Sequence, residues 1–365
     1  TRPERRWLWW GGNKEEKKRR PKHRKFVFAY VGDSVSDYGG LDSAHLGVLL
    51  RFQRQSVPPS SQVLTSINAS IMAIYELVRH GKAALATSYA LYLYMLVYAL
   101  QLVQVKIYSD IFGPFLSKWS FIFFHFLYVI PLAIGVSLSG PASPNVFDAA
   151  PAPRELGSLT TLRGIVYCTI YLTSLICMHF ILASRDWFQC RAFDARATNS
   201  PGWEQPNRWS LYAENYESSV TTILLFGNVL TAANLLNLGD KWRQPWYKNI
   251  SLLCLTLLLG VPWVVVAVAP PNFLGCLLEV NCGNPEALAR LGYRVPAGIT
   301  RDYSNNPSGH NVLPAGFRAF LLAYVAATFG ATIFVEQFMI RGLVGRVLTN
   351  WWGQLGASKL HVFKP

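Results

Sequence analysis

Six long apolar stretches limit what this chain can fold into more than any other feature of its sequence. A bilayer core of roughly 30 Å requires about 20 apolar residues per helix, and each stretch reaches that length with charges only near its ends. The chain is 51% hydrophobic and 15% charged, which is too apolar for a soluble domain of this size. We therefore predict an α-helical multi-pass membrane protein with spans at residues 83–108, 119–139, 162–183, 220–238, 250–269 and 315–339.

The net charge of +14 is distributed unevenly. Residues 1–25 hold a dense cluster of Lys and Arg, which is typical of a cytosolic segment near anionic lipid headgroups. No groove-reading or base-stacking module accompanies the cluster, so nucleic-acid binding is not predicted. If residues 1–25 are cytosolic, six crossings return the tail, residues 341–365, to the same side. Because no initiator Met or signal sequence precedes the first element, we expect the chain to be a piece of a longer protein.

The six cysteines carry little chemistry that the sequence reveals. Cys168, Cys177 and Cys254 lie in apolar spans, where a thiol usually packs as a small hydrophobic group. Cys276 and Cys282 share one polar loop and can form a disulfide if that loop is lumenal. No CxxC or Cys/His spacing typical of a metal site is present.

Residues 26–65 precede the spans and contain a loop suited to a metal ion. A short apolar run typical of a buried strand, residues 27–31, leads into Asp33 and Asp37, and carboxylates are common ligands of Mg²⁺. Segment 66–82 follows, with apolar residues at helical spacing: Ile67, Ile71, Ile74, Leu77 and Val78. This spacing predicts an amphipathic stalk helix that continues into the membrane, with a packed surface helix as the alternative.

Four segments resemble motifs of P-type ATPases. Residues 31–41 are similar to the hinge motif GDGxNDxxAL, and residues 77–88 are similar to the IREGRAALVTS segment that enters the fifth membrane helix. Residues 215–217 match the NYE that precedes a later membrane helix in the fifth class of these pumps. Residues 239–249 resemble the GKPFRQPxYKN loop between the eighth and ninth helices. These matches occur in the family's order and with its hydrophobic spacing, and together they cover most of residues 14–340.

The chain therefore resembles the C-terminal part of a type V P-type ATPase, and the B branch more than the A branch. The preference for the B branch rests mainly on residues 81–88. The resemblance implies that the six spans are membrane helices 5 to 10. It also implies that residues 26–65 end an α/β phosphorylation domain of the HAD-like type.

What the resemblance implies for chemistry is ATP-dependent phosphorylation of an Asp in a DKTGT motif, with Mg²⁺ as cofactor. Asp33 then coordinates Mg²⁺, and Asp37 organises the loop. Lys14 stands at the separation from Asp33 that suits a phosphate-contacting Lys, although a solvated basic tract explains it equally well. Since residues 1–365 contain no DKTGT, we expect this chain alone not to hydrolyse ATP.

The loop departs from the family motif at three positions. Ser34 replaces a Gly, Ser36 replaces an Asn, and Gly40 replaces an Ala. Ser supports positive φ less readily than Gly, and a Ser hydroxyl lacks the reach of an Asn amide. A degenerate, non-catalytic pump that acts as a membrane interaction protein is therefore an alternative.

The membrane part departs from the family as well. The B branch implies transport of polyamines or other organic cations, which bind carboxylates and aromatic faces. His125 and Lys118 stand where the family carries acids. The pathway candidates on the first two spans are Tyr92, Tyr94, Phe121, Phe124 and His125. The missing acids favour an alternative, an A-branch dislocase of transmembrane helices in the endoplasmic reticulum.

The resemblance also implies where the protein works. We expect a monomeric pump embedded in the bilayer of a eukaryotic endomembrane, namely the lysosome, vacuole, endosome or endoplasmic reticulum. The aromatic candidates have a simpler interpretation too, because aromatic side chains in spans often face lipid or pack in the core.

Overall fold

The computed structural model describes residues 29–33, 35–50, 63–66, 70–112, 115–142, 153–188, 215–237, 242–283, 285–295, 312–344 and 347. The chain divides into two compact units, residues 1–78 and residues 79–365, and each is described by itself. Lys14 and Ser34 lie outside the described residues, as do the basic segment 1–25 and most of the tail 341–365.

The first unit contains a small parallel sheet. Its elements are strand β1 (Ala29–Gly32), a 3₁₀ turn (Val35–Asp37), helix α1 (Tyr38–Ser43), strand β2 (Leu46–Leu50) and strand β3 (Val63–Ser66). The strand order is β1-β2-β3, and Leu49 lies between Gly32 and Thr65 in the register. Leu41 of α1 and Val48 of β2 are buried beside it. A helix between two parallel strands is the α/β arrangement that the sequence predicts here.

Helix α2 begins later than the predicted stalk helix. Ser66 is the last residue of β3, and α2 extends from Met72 to Phe112. Ser70 starts the helix, because its hydroxyl accepts the Met72 N–H at 3.2 Å and its carbonyl accepts the Ala73 N–H at 3.0 Å. The predicted start at residue 66 is therefore wrong, since pairing with β2 outweighs the helical spacing of the apolar residues.

Six helical segments of the described residues are long and apolar enough to cross a membrane, which confirms the predicted fold class. They are Met72–Phe112, Lys118–Ser137, Thr161–Ala183, Tyr216–Leu235, Ile250–Val268 and Ala315–Phe338. The first span belongs to α2, and the second consists of α3 (Lys118–Phe123), a π-helical turn (Phe124–Val129) and α4 (Ile130–Ser137). The next three spans lie in α5 (Pro153–Ala183), α6 (Tyr216–Leu235) and α7 (Ile250–Val268). The sixth span lies in α10 (Ala315–Phe334) and a second π-helical segment (Val335–Val344) that extends it. Two short helices, α8 (Phe273–Leu277) and α9 (Pro285–Arg290), lie between α7 and α10.

The π-helical turn in the second span has a local cause. Pro131 follows it, and proline has no N–H to donate to the carbonyl four residues earlier. The backbone widens there, so that the Ile130 N–H bonds to the carbonyl of His125. The turn that contains His125 therefore departs from regular α-helical hydrogen bonding.

Helix α6 is the central helix of the membrane unit. Its side chains are buried along nearly the whole helix, whereas α7 is largely exposed to the surroundings of the bundle. Asn215 begins α6, because its side chain accepts the Ser218 N–H at 2.7 Å. The matched NYE segment is therefore the N-terminal cap of the most enclosed span.

One end of the bundle, called here the inner end, is closed by Arg243. The Arg243 side chain is 4% exposed and donates to the carbonyls of Val136 at 3.3 Å and Leu236 at 3.1 Å. It also contacts the side chain of Asn237. The last carbonyls of a helix have no intrahelical partner, so the guanidinium satisfies the ends of α4 and α6 together.

The opposite end, called the outer end, carries a disulfide. Cys276 and Cys282 are joined, the pairing that the sequence left open. The carbonyl of Leu278 inside this loop accepts the hydroxyls of Ser117 at 2.8 Å and Ser120 at 2.6 Å. The disulfide loop therefore holds the start of α3.

Candidate functional sites

The carboxylate loop lies at the carboxyl end of strand β1, where parallel α/β sheets place their ligands. Asp33 directly follows the strand, and Asp37 follows four residues later at the end of the 3₁₀ turn. The Asp37 carboxylate accepts the backbone N–H of Asp33 at 3.2 Å and the hydroxyl of Tyr30 at 3.4 Å. Asp37 therefore ties the loop back to β1.

Two glycines allow this close approach. A Cβ on Gly32 would lie 2.6 Å from the Cβ of Asp37, so a side chain there would displace the loop carboxylate. A Cβ on Gly40 would lie 2.9 Å from the ring of Tyr30. The Gly that replaces the family's Ala therefore gives Tyr30 the space from which its hydroxyl reaches Asp37.

The side chain of Asp33 is exposed, while its backbone N–H is held by Asp37. No group of three or more His, Cys, Asp or Glu that would hold a metal by itself occurs among the described residues. Mg²⁺ commonly takes one or two protein carboxylates and completes its shell with phosphate oxygens and water. The exposed Asp33 carboxylate is one group that would fit such an incomplete donor set.

The pathway candidates do not form one cluster. Tyr92 is 60% exposed, whereas Tyr94, two residues further along α2, is fully buried and donates its hydroxyl to Val129 O at 3.3 Å. Residues two apart on a helix point in very different directions. Tyr92 therefore lies apart from the other candidates.

Two of the candidates, Phe121 and Phe124, lie beside a third, His125. The His125 ring centroid lies 4.3 Å from that of Phe121 and 5.5 Å from that of Phe124. The Tyr98 ring is 5.7 Å away in an edge-on arrangement. His125 Nδ1 lies 2.8 Å from the carbonyl of Phe121, so Nδ1 donates and Nε2 holds the lone pair in a neutral ring.

A lysine that sequence reasoning missed belongs to the same region. Lys106 Nζ of α2 lies 5.9 Å from the centroid of the Phe121 ring. Lys106 sits near the end of its span, where a charge looks like an ordinary boundary residue. This aromatic region therefore contains the ammonium group of Lys106 as well as the imidazole of His125.

A buried ion pair was also missed. Glu336 is 1% exposed, and its carboxylate lies 3.0 Å from the guanidinium of Arg163 and accepts the Tyr167 hydroxyl at 3.0 Å. Both charges lie near the ends of their predicted spans. A charge at that place gives no signal in the sequence that it pairs within the bundle.

No protein-family model matches the chain. It is 29% identical over 243 residues to the human protein "Probable cation-transporting ATPase 13A4". The aligned region covers 63% of this chain and 20% of that protein. It is 25% identical over 263 residues to the "Vacuolar cation-transporting ATPase YPK9" of Saccharomyces cerevisiae, covering 70% of this chain and 16% of that protein. It is 25% identical over 340 residues to the mouse "Polyamine-transporting ATPase 13A2", covering 92% of this chain and 25% of that protein.

The six apolar helices and the small parallel sheet are those of a multi-pass membrane protein with an α/β part, and the relatives to which the chain is similar are P-type ATPases. Within that class, the chain is related to the C-terminal part of the type V ATPases, which confirms the resemblance found in the sequence. The chain spans 16% to 25% of the length of these three relatives.

Proposed function

We propose that this chain is the C-terminal part of an ATP-driven type V pump that moves a polyamine or another organic cation across an endomembrane. The observation that carries this proposal is the single ordered match that joins the carboxylate loop to the membrane helices. The names of the relatives, which are cation- and polyamine-transporting ATPases, support the same conclusion.

In this proposal the carboxylate loop serves phosphoryl transfer. Mg²⁺, when bound, neutralises charge on the transferred phosphoryl group. Asp33 offers the exposed carboxylate that binds the metal, and Asp37 keeps the loop in place through the Asp33 N–H. Lys14 is proposed as a phosphate contact. The nucleophilic Asp lies outside this chain, so residues 1–365 alone are expected to hydrolyse no ATP.

The aromatic region around His125 is the proposed part of the cation pathway on the first two spans. Aromatic faces attract organic cations, which Phe121 and Phe124 provide here. Lys106 opposes a polycation at this place, and His125 supplies no fixed negative charge. We therefore expect the complete pump to bind polyamines weakly.

The substitution His125→Asp is expected to raise the affinity for spermine about tenfold, equivalent to about 1.4 kcal/mol, because it returns a carboxylate to a partly dehydrated site. The measurement is the spermine dependence of ATP hydrolysis by the complete protein in liposomes. The matched control is His125→Asn, which changes the side chain without adding charge. An equal effect of the two variants, or no effect of either, would contradict the proposed pathway.

A second candidate function follows from the same observation. A site without a carboxylate suits a substrate that is not a polycation, such as the transmembrane helix moved by an A-branch dislocase of the endoplasmic reticulum. Absence of any spermine stimulation, together with stimulation by an apolar helical peptide, would favour this candidate.

The orientation of the bundle is proposed from its two ends. The disulfide at the outer end requires an oxidising compartment, which makes that end lumenal and the Arg243 end cytosolic. Both termini of the chain then lie in the cytosol. The pump is proposed to act as a monomer.

Cysteine labelling checks this orientation. In sealed vesicles with the cytosolic face outward, a membrane-impermeant maleimide is expected to label Lys248→Cys and not Asp186→Cys, because these exposed positions lie at opposite ends. Permeabilised vesicles control for access to both sites. The reverse pattern would place the termini in the lumen.

A further inference from the structure

The disulfide loop, residues 276–282, has an unusual backbone. Its two ends, Cys276 and Cys282, are covalently joined, and each of them is 1% exposed. Within the loop, Glu279 and Asn281 have φ angles of 57° and 52°. This left-handed region is uncommon for residues other than Gly and costs free energy, so the surrounding structure has to hold it in place.

Asn281 connects the loop to three of the membrane helices. Its side-chain oxygen accepts the N–H of Leu313, just before α10, at 3.0 Å. Its side-chain amide donates to the carbonyl of Ala269, at the end of α7, at 3.3 Å. Its backbone nitrogen lies 3.5 Å from the hydroxyl oxygen of Ser219, in the first turn of α6. One buried residue of the loop therefore contacts the outer ends of α6, α7 and α10.

Leu278 connects the loop to a fourth helix. Its carbonyl accepts the hydroxyls of Ser117 and Ser120 at the start of α3. The Ser117 oxygen in turn accepts the Ser120 N–H at 3.0 Å, and the Ser117 carbonyl accepts the Phe121 N–H at 2.9 Å. The same serine therefore caps α3 and attaches it to the disulfide loop.

The crosslink is what holds these two attachments together. Residues 278–282 form turns and bends rather than a helix or a strand, so no regular ladder of backbone hydrogen bonds fixes them. A disulfide reduces the number of conformations that an opened loop can adopt, which favours the closed one. It therefore keeps the Leu278 carbonyl and the Asn281 side chain in place at the same time.

We propose that the disulfide loop is a covalent clamp that fixes the outer ends of α3, α6, α7 and α10 as one unit. The clamp acts through the Leu278 carbonyl on one side and the Asn281 side chain on the other. While the disulfide is intact, these four helices move together at the outer end, and any movement of α3 relative to the others occurs further toward the inner end. The inference does not depend on the proposed transport function.

Hydrogen exchange of the full chain in lipid nanodiscs, followed by mass spectrometry, tests the clamp. In the double variant Cys276→Ala/Cys282→Ala, the amides of Phe121 and Leu313 are expected to exchange about tenfold faster or more, because the opened loop releases both attachments. Exchange at the wild-type rate at both amides would overturn the proposal.

Two controls accompany this measurement. The Leu252 N–H at the start of α7 donates to the Asn249 side chain at 3.2 Å, which is a similar cap at the opposite end of the bundle, and its exchange is expected to be unchanged. The bundle is expected to stay folded, because the Ser218 hydroxyl still donates to the Phe115 carbonyl at 2.7 Å, and slow exchange within α6 reports this. Equal acceleration at Leu252 and at Phe121 would mean general loosening and would also overturn the proposal.

Two single variants separate the attachments. Asn281→Gly keeps the left-handed backbone accessible and removes the side chain, so faster exchange is expected at Leu313. Ser120→Ala removes one hydroxyl from the Leu278 carbonyl and leaves the Ser117 cap, so several-fold faster exchange is expected at Phe121. Wild-type exchange at Leu313 in folded Asn281→Gly, or at Phe121 in folded Ser120→Ala, would contradict the corresponding arm of the clamp.

Discussion

Replacement of Asp33 by Asn in the complete protein is expected to lower the magnesium-dependent phosphoenzyme by ~100-fold or more, because the metal loses its protein carboxylate. The amide keeps the size of the side chain, and the bond from the backbone N–H of residue 33 to Asp37 is unaffected. The measurement is incorporation of the γ-phosphate of ATP into the acid-stable phosphoenzyme at saturating Mg²⁺.

The control for this experiment is Asp42→Asn, which changes an exposed carboxylate further along the chain, in α1. Phosphoenzyme at the wild-type level in Asp33→Asn would show that the loop no longer serves phosphoryl transfer. Absence of phosphoenzyme in the wild-type protein would favour the non-catalytic pump, to which Ser34 and Ser36 already point.

Replacement of Arg243 by Met is expected to lower the free energy of unfolding by about 3 kcal/mol. The reason is that two buried carbonyls and the Asn237 side chain lose the guanidinium as their hydrogen-bond donor. Met fills much of the same space, so the effect reports the lost hydrogen bonds. Thermal unfolding of the purified chain in detergent is the measurement. Arg243→Lys is expected to recover only part of the loss, since an ammonium lacks the planar fork that spans α4 and α6.

The control variant is Arg290→Met. Arg290 is exposed, and its Nε donates to Glu286 within its own short helix. An exposed arginine on one helix contributes little to stability, so the unfolding temperature is expected to stay near that of the wild type. Equal unfolding temperatures for Arg243→Met and Arg290→Met would contradict the role assigned to Arg243 at the inner end of the bundle.

The carboxylate loop shows how much of the structure can be predicted from residues that are neighbours in the sequence. A strand followed by two carboxylates was predictable, because both features depend on neighbouring residues. The hydrogen bonds that Asp37 accepts from Asp33 and Tyr30 could not be predicted from the sequence. The need for Gly at position 40 could not be predicted either, because it depends on the Tyr30 ring of β1, which occupies the space beside it. The roles of Asp33, Asp37 and Lys14 remain predictions.

The start of α2 and the scatter of the aromatic candidates show where periodicity misleads. Helical spacing across residues 66–82 predicts one helix, but residues up to Ser66 pair in a sheet. Composition alone selected Tyr92 with Tyr94, although the helix directs one outward and buries the other. A helical pattern does not state which neighbour covers each face.

The sequence by itself determined that this protein has six helices long and apolar enough to cross a membrane, and it determined the similarity to the type V pumps. The reason is that bilayer thickness sets the length of each apolar stretch, and the family motifs are local. Only the tertiary structure decided which charges are buried together. Tyr167 and Glu336 are 169 residues apart in the chain, and Arg243 joins the ends of two helices. Such pairs depend on how the helices pack, so residues that look like ordinary span boundaries in the sequence become the polar interior of the bundle.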